Sequence, residues 1–327
     1  MKEYTLKNAK NLISYFIDKY FTQNILLAIS GGQDSICLIK VLENLKKTKL
    51  NKKVKISYIY IDHQWKSSSK KQIKHIINHI KLVKKNVTIY QINKITSSED
   101  ECRKFRYHII LQHALKYRHN LIITGHTKTD QIETFVHNII KGSEIESLNN
   151  LSIKNQVLNK IFILRPLVTF NRIQIFWLCK KFFLPIWSDS SNYIYKIQRN
   201  RIRHELIPYI KKYLHYNFEN NIKYLMHHYY YQNEYIKQNV VKLYLKSKHR
   251  TRMAINYHCI NKHNFILQVK TIQIFCFHNV QTYIENKKII KIITEINKIT
   301  KSLLKITEHK NFSFLINNNW LYIAKNQ

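Results

Sequence analysis

Short apolar runs alternate with helical spacings of apolar residues over the first half of the chain. Four of these runs are typical of buried strands, at 25–30, 54–62, 86–92 and 120–126. Between the runs, apolar side chains recur three and four positions apart, which predicts helices at 34–45, 71–83, 99–118 and 129–142. Strands separated by helices predict an α/β fold with a mainly parallel sheet and helices on both faces.

The second half of the chain is predicted to be mostly helical. One more strand is expected within 160–168, followed by a helix at 171–184. The remaining pattern predicts one or two helices at 209–248, two or three helices at 264–309, and a terminal hairpin at 311–325. All six aspartates and all four glycines lie before residue 190. We therefore expect the chemistry in a domain formed by 1–210, and a mainly helical binding or packing domain at 211–327.

The charge of the chain is far from ordinary, although 45% of its 327 residues are hydrophobic, as in globular proteins. Lys and Arg number 55 against 19 Asp and Glu, which gives a formal net charge of +36. Such an excess favours a polyanionic partner, either nucleic acid or an anionic membrane. The abundance of Lys, Asn, Ile and Tyr also fits the bias of an A/T-rich genome, and both causes are compatible.

Membrane insertion and secretion are not expected. No segment reaches the roughly 18 uncharged apolar residues of a membrane-spanning helix. The amino-terminal segment lacks the features of a secretory signal and reads as an amphipathic helix. The five cysteines are scattered and form no C-x-x-C pair, which predicts a reducing compartment and no zinc or iron–sulfur site. The sequence does not indicate an oligomeric state.

The first strand ends in the hexapeptide Ser-Gly-Gly-Gln-Asp-Ser at 30–35, which uses two of only four glycines in the chain. Glycines between a strand and a helix allow successive backbone N–H groups to surround an anion, and the helix amino terminus faces the same point. Asp34 would repel phosphate unless it binds Mg²⁺ that bridges phosphate oxygens. The plain alternative is a permissive strand-to-helix turn. The segment is interpreted as a phosphate-binding loop.

This loop resembles the PP-loop of ATP pyrophosphatases, and four further segments resemble tRNA(Ile)-lysidine synthetases. They are Ile-Tyr-Ile-Asp-His-Gln-Trp at 59–65, Glu-Cys-Arg-Lys-Phe-Arg-Tyr at 101–107, the segment 124–143, and Leu-Arg-Pro-Leu-Val together with 188–208. The resemblance covers about residues 20–210 in the order of the family. Gln64 stands where the family has glycine, and Thr127 and Thr129 replace a histidine and an aspartate. Thr129 is also the predicted N-cap of the helix at 129–142.

The resemblance implies a PP-loop nucleotide-binding fold and ATP-dependent ligation of free L-lysine to carbon 2 of the wobble cytidine. The substrate would be tRNA(Ile) with a CAU anticodon, adenylated before lysine attacks, and the codon read would change from AUG to AUA. ATP and Mg²⁺ are the implied cofactors. The implied catalytic residues are Asp34, Arg103, Arg106, Asp130 and Glu133, and Asp34 is also the implied metal ligand.

Two further sets of residues are predicted from their positions in the sequence and from the residue types used there. ATP is expected to contact the loop and two histidines that follow strands: Ser30, Gly31, Gly32, Gln33, Asp34, Ser35, His63 and His126. RNA is expected to contact a segment in which arginine is used in place of the usual lysine: Asn192, Arg199, Asn200, Arg201 and Arg203. An alternative without a functional role remains for the charged pairs. Arg103 with Arg106, and Asp130 with Glu133, can be surface charges on helices.

Two other functions remain open from the sequence. A PP-loop tRNA thiolase would share the nucleotide-binding loop, although such chemistry usually needs a cysteine pair. A non-enzymatic basic RNA-binding protein would retain the charge and a degenerate nucleotide pocket. The compositional bias and the absence of a targeting segment favour an organelle-encoded protein of the plastid (chloroplast) stroma, with the bacterial cytoplasm as the alternative.

Overall fold

The computed structural model describes most of the chain, at 2–20, 22–48, 54–62, 64, 69–92, 99–148, 152–158, 161–187, 195, 197–298, 304–309 and 312–325. Two compact units divide the chain, Met1–Met226 and His227–Gln327. Among the described residues, no helix combines the length and apolar character needed to cross a membrane.

The first unit alternates strands with helices. Its strands are β1 (Asn24–Ile29), β2 (Lys55–Asp62), β3 (Val87–Gln91), β4 (Leu121–Thr124), β5 (Lys154–Leu158) and β6 (Ile161–Leu164). Its longer helices are α1 (Lys2–Lys19), α2 (Gln33–Thr48), α3 (Ser69–Leu82), α4 (Glu99–Lys116), α5 (Lys128–Ile140) and α7 (Arg172–Lys181), with the short α6 (Ile145–Leu148) between α5 and β5.

A helical stretch of mixed geometry closes the first unit. It consists of α8 (Gln198–Arg201), a π-helix at Ile202–Leu206, α9 (Ile207–Tyr209) and a second π-helix at Ile210–Leu214. Such π segments are rare and often occur at functional sites. The predicted domain boundary after residue 210 falls at the start of the second π-helix and stays a prediction about where the ATP-binding domain ends. The next helix, α10 (Phe218–Ser247), continues into the second unit.

The six strands of the first unit form one sheet in the order β3-β2-β1-β4-β6-β5. Every neighbouring pair is parallel except β5 with β6. The strand order reverses between β1 and β4. In open parallel sheets this reversal leaves a crevice at the carboxyl ends of the strands, where ligands bind.

The alternation of side chains along the strands explains why helices cover both faces of this sheet. Ile25 and Leu27 of β1 belong to a core shared with α1, α2 and α7, whereas Leu26 belongs to a core shared with α4. Successive strand residues point to opposite faces, so a strand that is apolar at every position must be covered twice. The predicted α/β class with helices on both faces is confirmed.

The second unit contains helices and a small antiparallel sheet. After α10 follow β7 (Ala254–Asn256), α11 (Tyr257–Asn261), α12 (Phe265–Val280), α13 (Asn286–Lys298), β8 (Leu304–His309), β9 (Phe312–Asn317) and β10 (Trp320–Lys325). The strands pair in the order β7-β10-β9-β8, and the buried faces of α12 and α13 share a core with β7, β9 and β10. The region is mainly helical, as predicted, and the predicted terminal hairpin is formed by β9 and β10. Strands β7 and β8 were not predicted.

Candidate active site

The phosphate-binding loop lies at the crevice where the strand order reverses. It joins the end of β1 to the start of α2, which positions Gly31, Gly32 and the amino terminus of α2 at the carboxyl edge of the sheet. Gly31 has a φ of +80°, and an added Cβ would also lie 3.1 Å from the side chain of Ile76. Glycine is therefore required at Gly31 by both backbone conformation and space.

Two serines give the loop its shape. The Ser35 hydroxyl donates to the carbonyl of Gly32 at 2.9 Å and accepts from the backbone N–H of Ser30 at 3.2 Å. Ser35 is buried, whereas Ser30 is exposed, and their hydroxyl oxygens are 3.3 Å apart. Ser35 thus holds the turn, and Ser30 presents a hydroxyl at its surface. Their predicted contact with ATP stays a prediction.

Residues that the sequence analysis did not single out support the loop from outside. Gln72 of α3 donates to the Ser30 carbonyl at 2.8 Å, and the Trp187 backbone N–H donates to the Gly31 carbonyl at 3.2 Å. These contacts come from distant parts of the chain, and no local sequence signal marks them.

A glycine at the end of β4 allows the loop to approach the neighbouring strand. An added Cβ at Gly125 would lie 3.2 Å from the backbone of both Asp34 and Ser35. Such a distance is shorter than an ordinary van der Waals contact, so a larger residue would push the first turn of α2 away. The scarcity of glycine in this chain was the signal that could have identified this position.

Asp34 has an environment that disfavours its ionised form. Burial, followed by the nearby charge of Asp130, raises the pKa of Asp34 to about 7, while Arg172 and a hydrogen bond from Gln33 oppose the shift. The Gln33 amide lies 3.3 Å from the Asp34 carboxylate. Mg²⁺ is usually held by one or two carboxylates together with substrate phosphates. A carboxylate that lacks a full counter-charge beside a phosphate-binding loop fits that donor set.

Two carboxylates and two arginines form an ion-pair cluster beside the loop, here called the carboxylate–arginine cluster: Asp130, Glu133, Arg199 and Arg203. Glu133 accepts from Arg203 at 2.5 and 2.7 Å and from Arg199 at 3.1 Å. Asp130 accepts from both arginines at 3.3 Å. The Glu133 side chain is fully buried, so the alternative that these two acids are surface charges on a helix does not hold.

The start of α5 fixes the position of Asp130. Thr127 is the N-cap, its hydroxyl accepts from the Asp130 backbone N–H, and the Asp130 carboxylate accepts from the Thr127 backbone N–H at 2.9 Å. This reciprocal arrangement is a capping box. Thr129 was predicted as the N-cap, and that prediction is wrong because the helix begins two residues earlier; the Thr129 hydroxyl instead accepts from the Arg172 backbone N–H at 3.3 Å.

Asp130 remains ionised in spite of its burial. Burial raises the pKa of the Asp130 carboxyl, but the charges of Arg199 and Arg203 and the Thr127 N–H outweigh it, so that the pKa is lowered. The cluster therefore contains charged groups of both signs at neutral pH.

Three arginines lie within electrostatic range of His126. Burial and the neighbouring charges of Arg165, Arg106 and Arg103 lower the pKa of His126 to about 3, so the imidazole is neutral. The His126 ring shares a hydrogen bond of 2.9 Å with Thr124. Arg165 is buried and donates to the Ser152 carbonyl at 2.9 Å. Arg165 is not among the site residues predicted from the sequence, although arginine is rare in this Lys-rich chain and Arg165 lies in the segment Leu-Arg-Pro-Leu.

The structure brings the predicted catalytic arginines into the same region. Arg103 lies over the ring of Tyr107, with 5.9 Å to its centroid, and Arg106 lies within electrostatic range of Arg199. Three of the arginines act on His126, and two pair with Asp130 and Glu133. Even with Asp34 counted as a third carboxylate, the region contains an excess of positive charge: Arg103, Arg106, Arg165, Arg199 and Arg203. Such an excess is suited to anionic phosphate groups.

The predicted RNA-binding residues lie in different environments. Arg199 and Arg203 belong to the carboxylate–arginine cluster, and Asn200 is buried. Arg201 is 64% exposed in its side chain and pairs with Glu205 at 2.8 Å. His63 and Asn192 lie outside the described residues. A role in RNA binding stays a prediction for this set.

Gln64 illustrates one departure from the resembled pattern. It has a φ of +54°, and its backbone N–H donates to the Asp62 carboxylate at 3.0 Å. A left-handed conformation favours glycine, which is the residue that the resembled family has there.

Comparisons with known proteins identify relatives along nearly the whole chain. A family model described as a PP-loop domain matches residues 5–210. The chloroplastic tRNA(Ile)-lysidine synthase of Gracilaria tenuistipitata var. liui is 43% identical over 300 residues, which cover 92% of both chains. The chloroplastic tRNA(Ile)-lysidine synthase of Pyropia yezoensis is 31% identical over 304 residues, which cover 93% of this chain and 91% of the relative. A tRNA(Ile)-lysidine synthase of a Nostoc species is 35% identical over 189 residues, which cover 58% of this chain and 54% of the relative.

Among solved structures, the chain is similar in fold to the U34-tRNA thiolase of Methanococcus maripaludis, a structure with its iron–sulfur cluster. The TM-score is 0.56 at 14% identity, and the match covers 70% of this chain and 80% of the thiolase. At this level of identity the likeness concerns the fold alone.

Proposed function

Because this chain belongs to the tRNA(Ile)-lysidine synthase family and carries its PP-loop domain, we propose that it ligates free L-lysine to the wobble cytidine of tRNA(Ile). ATP is the proposed energy source, and the anticodon is CAU. The single observation that supports this most strongly is a phosphate-binding loop at the switch point of the sheet, beside a region in which arginines outnumber carboxylates.

The proposed reaction has two steps. The oxygen on carbon 2 of the cytidine attacks the α-phosphorus of ATP; an O–P bond forms, the bond between the α- and β-phosphates breaks, and pyrophosphate leaves. The ε-amine of lysine then attacks carbon 2; a C–N bond forms, the C–O bond breaks, AMP leaves and the amine loses a proton. Both leaving groups are anionic, which a site rich in arginine stabilises as charge develops.

The loop binds the triphosphate in this proposal. Gly31 has a positive φ and Gly32 directly precedes the first residue of α2, and the amino termini of helices favour anions. The Ser30 hydroxyl is exposed at the same surface. Ser35 fixes the turn from within, through its hydrogen bonds with Gly32 and Ser30.

Mg²⁺ would be held by Asp34 together with phosphate oxygens, and it would supply positive charge to the departing pyrophosphate. The protein itself positions this carboxylate. Asp34 receives a hydrogen bond from Gln33, and the absence of a side chain at Gly125 allows the first turn of α2 to lie close to the end of β4.

Lysine is proposed to bind at the carboxylate–arginine cluster. Asp130 retains some exposure and is ionised, so it can hold the ammonium group of an incoming lysine. Glu133 is fully buried and both of its oxygens accept from arginines, so it positions Arg199 and Arg203 rather than touching lysine. A carboxylate with a lowered pKa is a poor proton acceptor, so Asp130 is proposed to bind the amine.

One assay tests the proposal. Purified protein is incubated with CAU-anticodon tRNA(Ile), ATP and labelled lysine. Label incorporated in tRNA, dependent on ATP and accompanied by AMP and pyrophosphate, is the expected result. A matched tRNA with a different wobble base is the control and should remain unlabelled. Intact ATP binding without incorporated label would instead favour a non-enzymatic RNA-binding protein.

The proposed location is the plastid stroma, with organelle encoding. Its support is that the two relatives matched over more than nine-tenths of both chains are chloroplastic. A bacterial origin is the alternative, because the relative from a Nostoc species matches 58% of this chain. Thiolation is not favoured, since the thiolase likeness extends to the fold alone.

A further inference from the structure

Helix α7 presents an exposed stripe of apolar and aromatic side chains, here called the α7 stripe: Ile173, Phe176, Trp177 and Lys180. The first three are 70%, 40% and 53% exposed. Their spacing of three and four positions is the one that a helix normally turns toward a core. The core-facing side of α7 is a different set, which includes Ile175, Leu178 and Cys179. Both sides of this helix are therefore apolar, and one of them faces solvent.

The α7 stripe combines rings with positive charge. The Lys180 ammonium lies 5.0 Å from the ring centroid of Phe176 and 5.5 Å from that of Trp177. The two rings meet edge to face at 6.2 Å. The helix sequence Arg-Ile-Gln-Ile-Phe-Trp-Leu-Cys-Lys-Lys contains cations and no carboxylate. A complementary ligand has flat apolar groups and negative charge, which is the chemistry of unpaired nucleotides.

The stripe begins at the candidate active site. The Arg172 backbone N–H donates to the Thr129 hydroxyl at 3.3 Å, and the Arg172 carbonyl accepts from the Gln33 amide at 3.3 Å. The first residue of α7 therefore contacts both α5 and the phosphate-binding loop. Since an α-helix rises about 1.5 Å per residue, Trp177 lies only about 7.5 Å along the axis from Arg172.

We propose that the α7 stripe binds unpaired nucleotides of the RNA substrate next to the base that enters the active site. A base stacks on Trp177 or Phe176, and Lys180 contacts a phosphate. This proposal rests on the proposed function, because it assumes that an RNA loop enters the site. It adds a specific surface and a mode of contact, which the arginines of 199–203 do not provide.

Charge favours RNA over a second copy of the chain as the ligand of the α7 stripe. Two copies that meet through the stripe would bring Lys180, Lys181 and Arg172 of each together, in a chain with a net charge of +36. RNA would instead neutralise these charges. Self-association is thus the less favoured occupant, and the experiment below tests it directly.

The test measures binding of an RNA stem-loop with a CAU anticodon by fluorescence anisotropy. Trp177→Ala should weaken binding about 5- to 150-fold, because removing a stacked base contact costs that much. Trp177→Phe keeps a ring and should retain most of the affinity. Trp177→Leu keeps apolar area without a ring and should bind as weakly as the Ala variant. Circular dichroism during thermal unfolding verifies that each variant is folded.

Two further variants separate stacking from charge. Trp177→Ala should leave the slope of log affinity against log salt unchanged, whereas Lys180→Gln should reduce that slope by about 1. Phe277→Ala is the matched control, because Phe277 is 56% exposed on α12 of the other unit, and it should bind RNA as the unsubstituted protein does.

Three results would overturn the proposal. The first is unsubstituted affinity in both Trp177→Ala and Phe176→Ala. The second is equal affinity of the Leu and Phe variants, which would indicate apolar docking without stacking. The third is a dimer in sedimentation velocity that becomes monomeric in Trp177→Ala, which would make the stripe a self-association surface. If the unsubstituted protein fails to attach lysine to tRNA(Ile), the proposed function fails. If it succeeds while both Trp177→Ala and Phe176→Ala bind RNA with the unsubstituted affinity, only the α7 stripe proposal fails.

Discussion

The phosphate-binding loop and the carboxylate–arginine cluster each contain a buried aspartate, and the two aspartates are shifted in opposite directions. Burial and the neighbouring Asp130 raise the pKa of Asp34 to about 7. Burial also raises the pKa of Asp130, but Arg199 and Arg203 reverse that shift and lower it. Asp130 pairs directly with two arginines, whereas Asp34 lies near the like charge of Asp130, so the neighbouring charges rather than burial separate the two sites.

This difference indicates two kinds of site within one crevice. The carboxylate–arginine cluster is already balanced by its own arginines, which hold its geometry before any substrate binds. The phosphate-binding loop has a carboxylate that lacks such a balance, so its ionised form depends on positive charge that arrives with a ligand. The predictions that follow alter one site at a time and are ordered by the size of the expected effect.

Substitution at the loop should have the largest effect. Asp34→Ala should reduce AMP release in the presence of tRNA, ATP and lysine by about a thousandfold, the upper range for loss of one electrostatic stabiliser. Asp100→Ala is the matched control, because Asp100 is an exposed acid that pairs with Lys141 on the surface, and it should retain activity. Retained AMP release in Asp34→Ala would remove the proposed magnesium role from this residue.

Substitution in the cluster should affect stability. Glu133→Gln leaves Arg203 and Arg199 without their buried counter-charge, so the free energy of unfolding in urea should fall by about 3 kcal/mol. Glu205→Gln breaks an exposed ion pair with Arg201 and should change the free energy of unfolding by less than about 1 kcal/mol. Equal losses of unfolding free energy in Glu133→Gln and Glu205→Gln would mean that the buried cluster stabilises the fold no more than the exposed ion pair does.

The opposite pKa shifts predict different pH dependences. Folded Asp34 retains a proton up to about pH 7, whereas the unfolded chain loses it near pH 4. The folded state thus binds more protons in this window, and the unfolding free energy should fall as pH rises from about 4 to 7, by at most about 1.4 kcal/mol per pH unit. The unfolding free energy of the unsubstituted protein, measured relative to that of Asp34→Asn, should fall over this pH window and stay constant above pH 7.

Asp130→Asn is the comparison for that measurement. Because its pKa is lowered, Asp130 is ionised in both the folded and the unfolded state above about pH 5. Asp130 itself therefore adds no pH dependence from pH 5 to 8. Its substitution removes one cause of the raised pKa of Asp34, so the fall in unfolding free energy between pH 4 and 7 should be smaller in this variant than in the unsubstituted protein. Urea titrations at four pH values check both expectations. A difference in unfolding free energy between Asp34→Asn and the unsubstituted protein that does not change with pH would contradict the raised pKa of Asp34.

The smallest effect is expected at the exposed arginine. Arg201→Gln should reduce the salt slope of tRNA binding by about 1 and leave the unfolding free energy within about 0.5 kcal/mol. Arg203→Gln should instead destabilise the fold, because it removes one of the two arginines that pair with the buried Glu133 carboxylate. An unchanged salt slope in Arg201→Gln would count against RNA contact at this position.

Much of the fold could be predicted from local patterns. The parallel strands of the first unit and the helices between them follow from apolar runs and helical spacings, and each is observed within a few residues of its prediction. Strand β5 was missed because it is a short antiparallel edge strand with exposed residues, and β8 was expected to be helical. Neither strand carries a long periodic pattern, so pairing with a neighbour determines it.

For the candidate site, the sequence determined which residue types are available and how they are spaced along each helix. It placed Asp130 and Glu133 one turn apart on one helix, and Arg199 and Arg203 one turn apart on another. Only the tertiary structure decided that these two pairs face each other and that Arg165 lies beside His126. The physical reason is that spacing along a helix depends on local geometry, whereas the charge state of a buried group depends on neighbours that folding brings from distant parts of the chain.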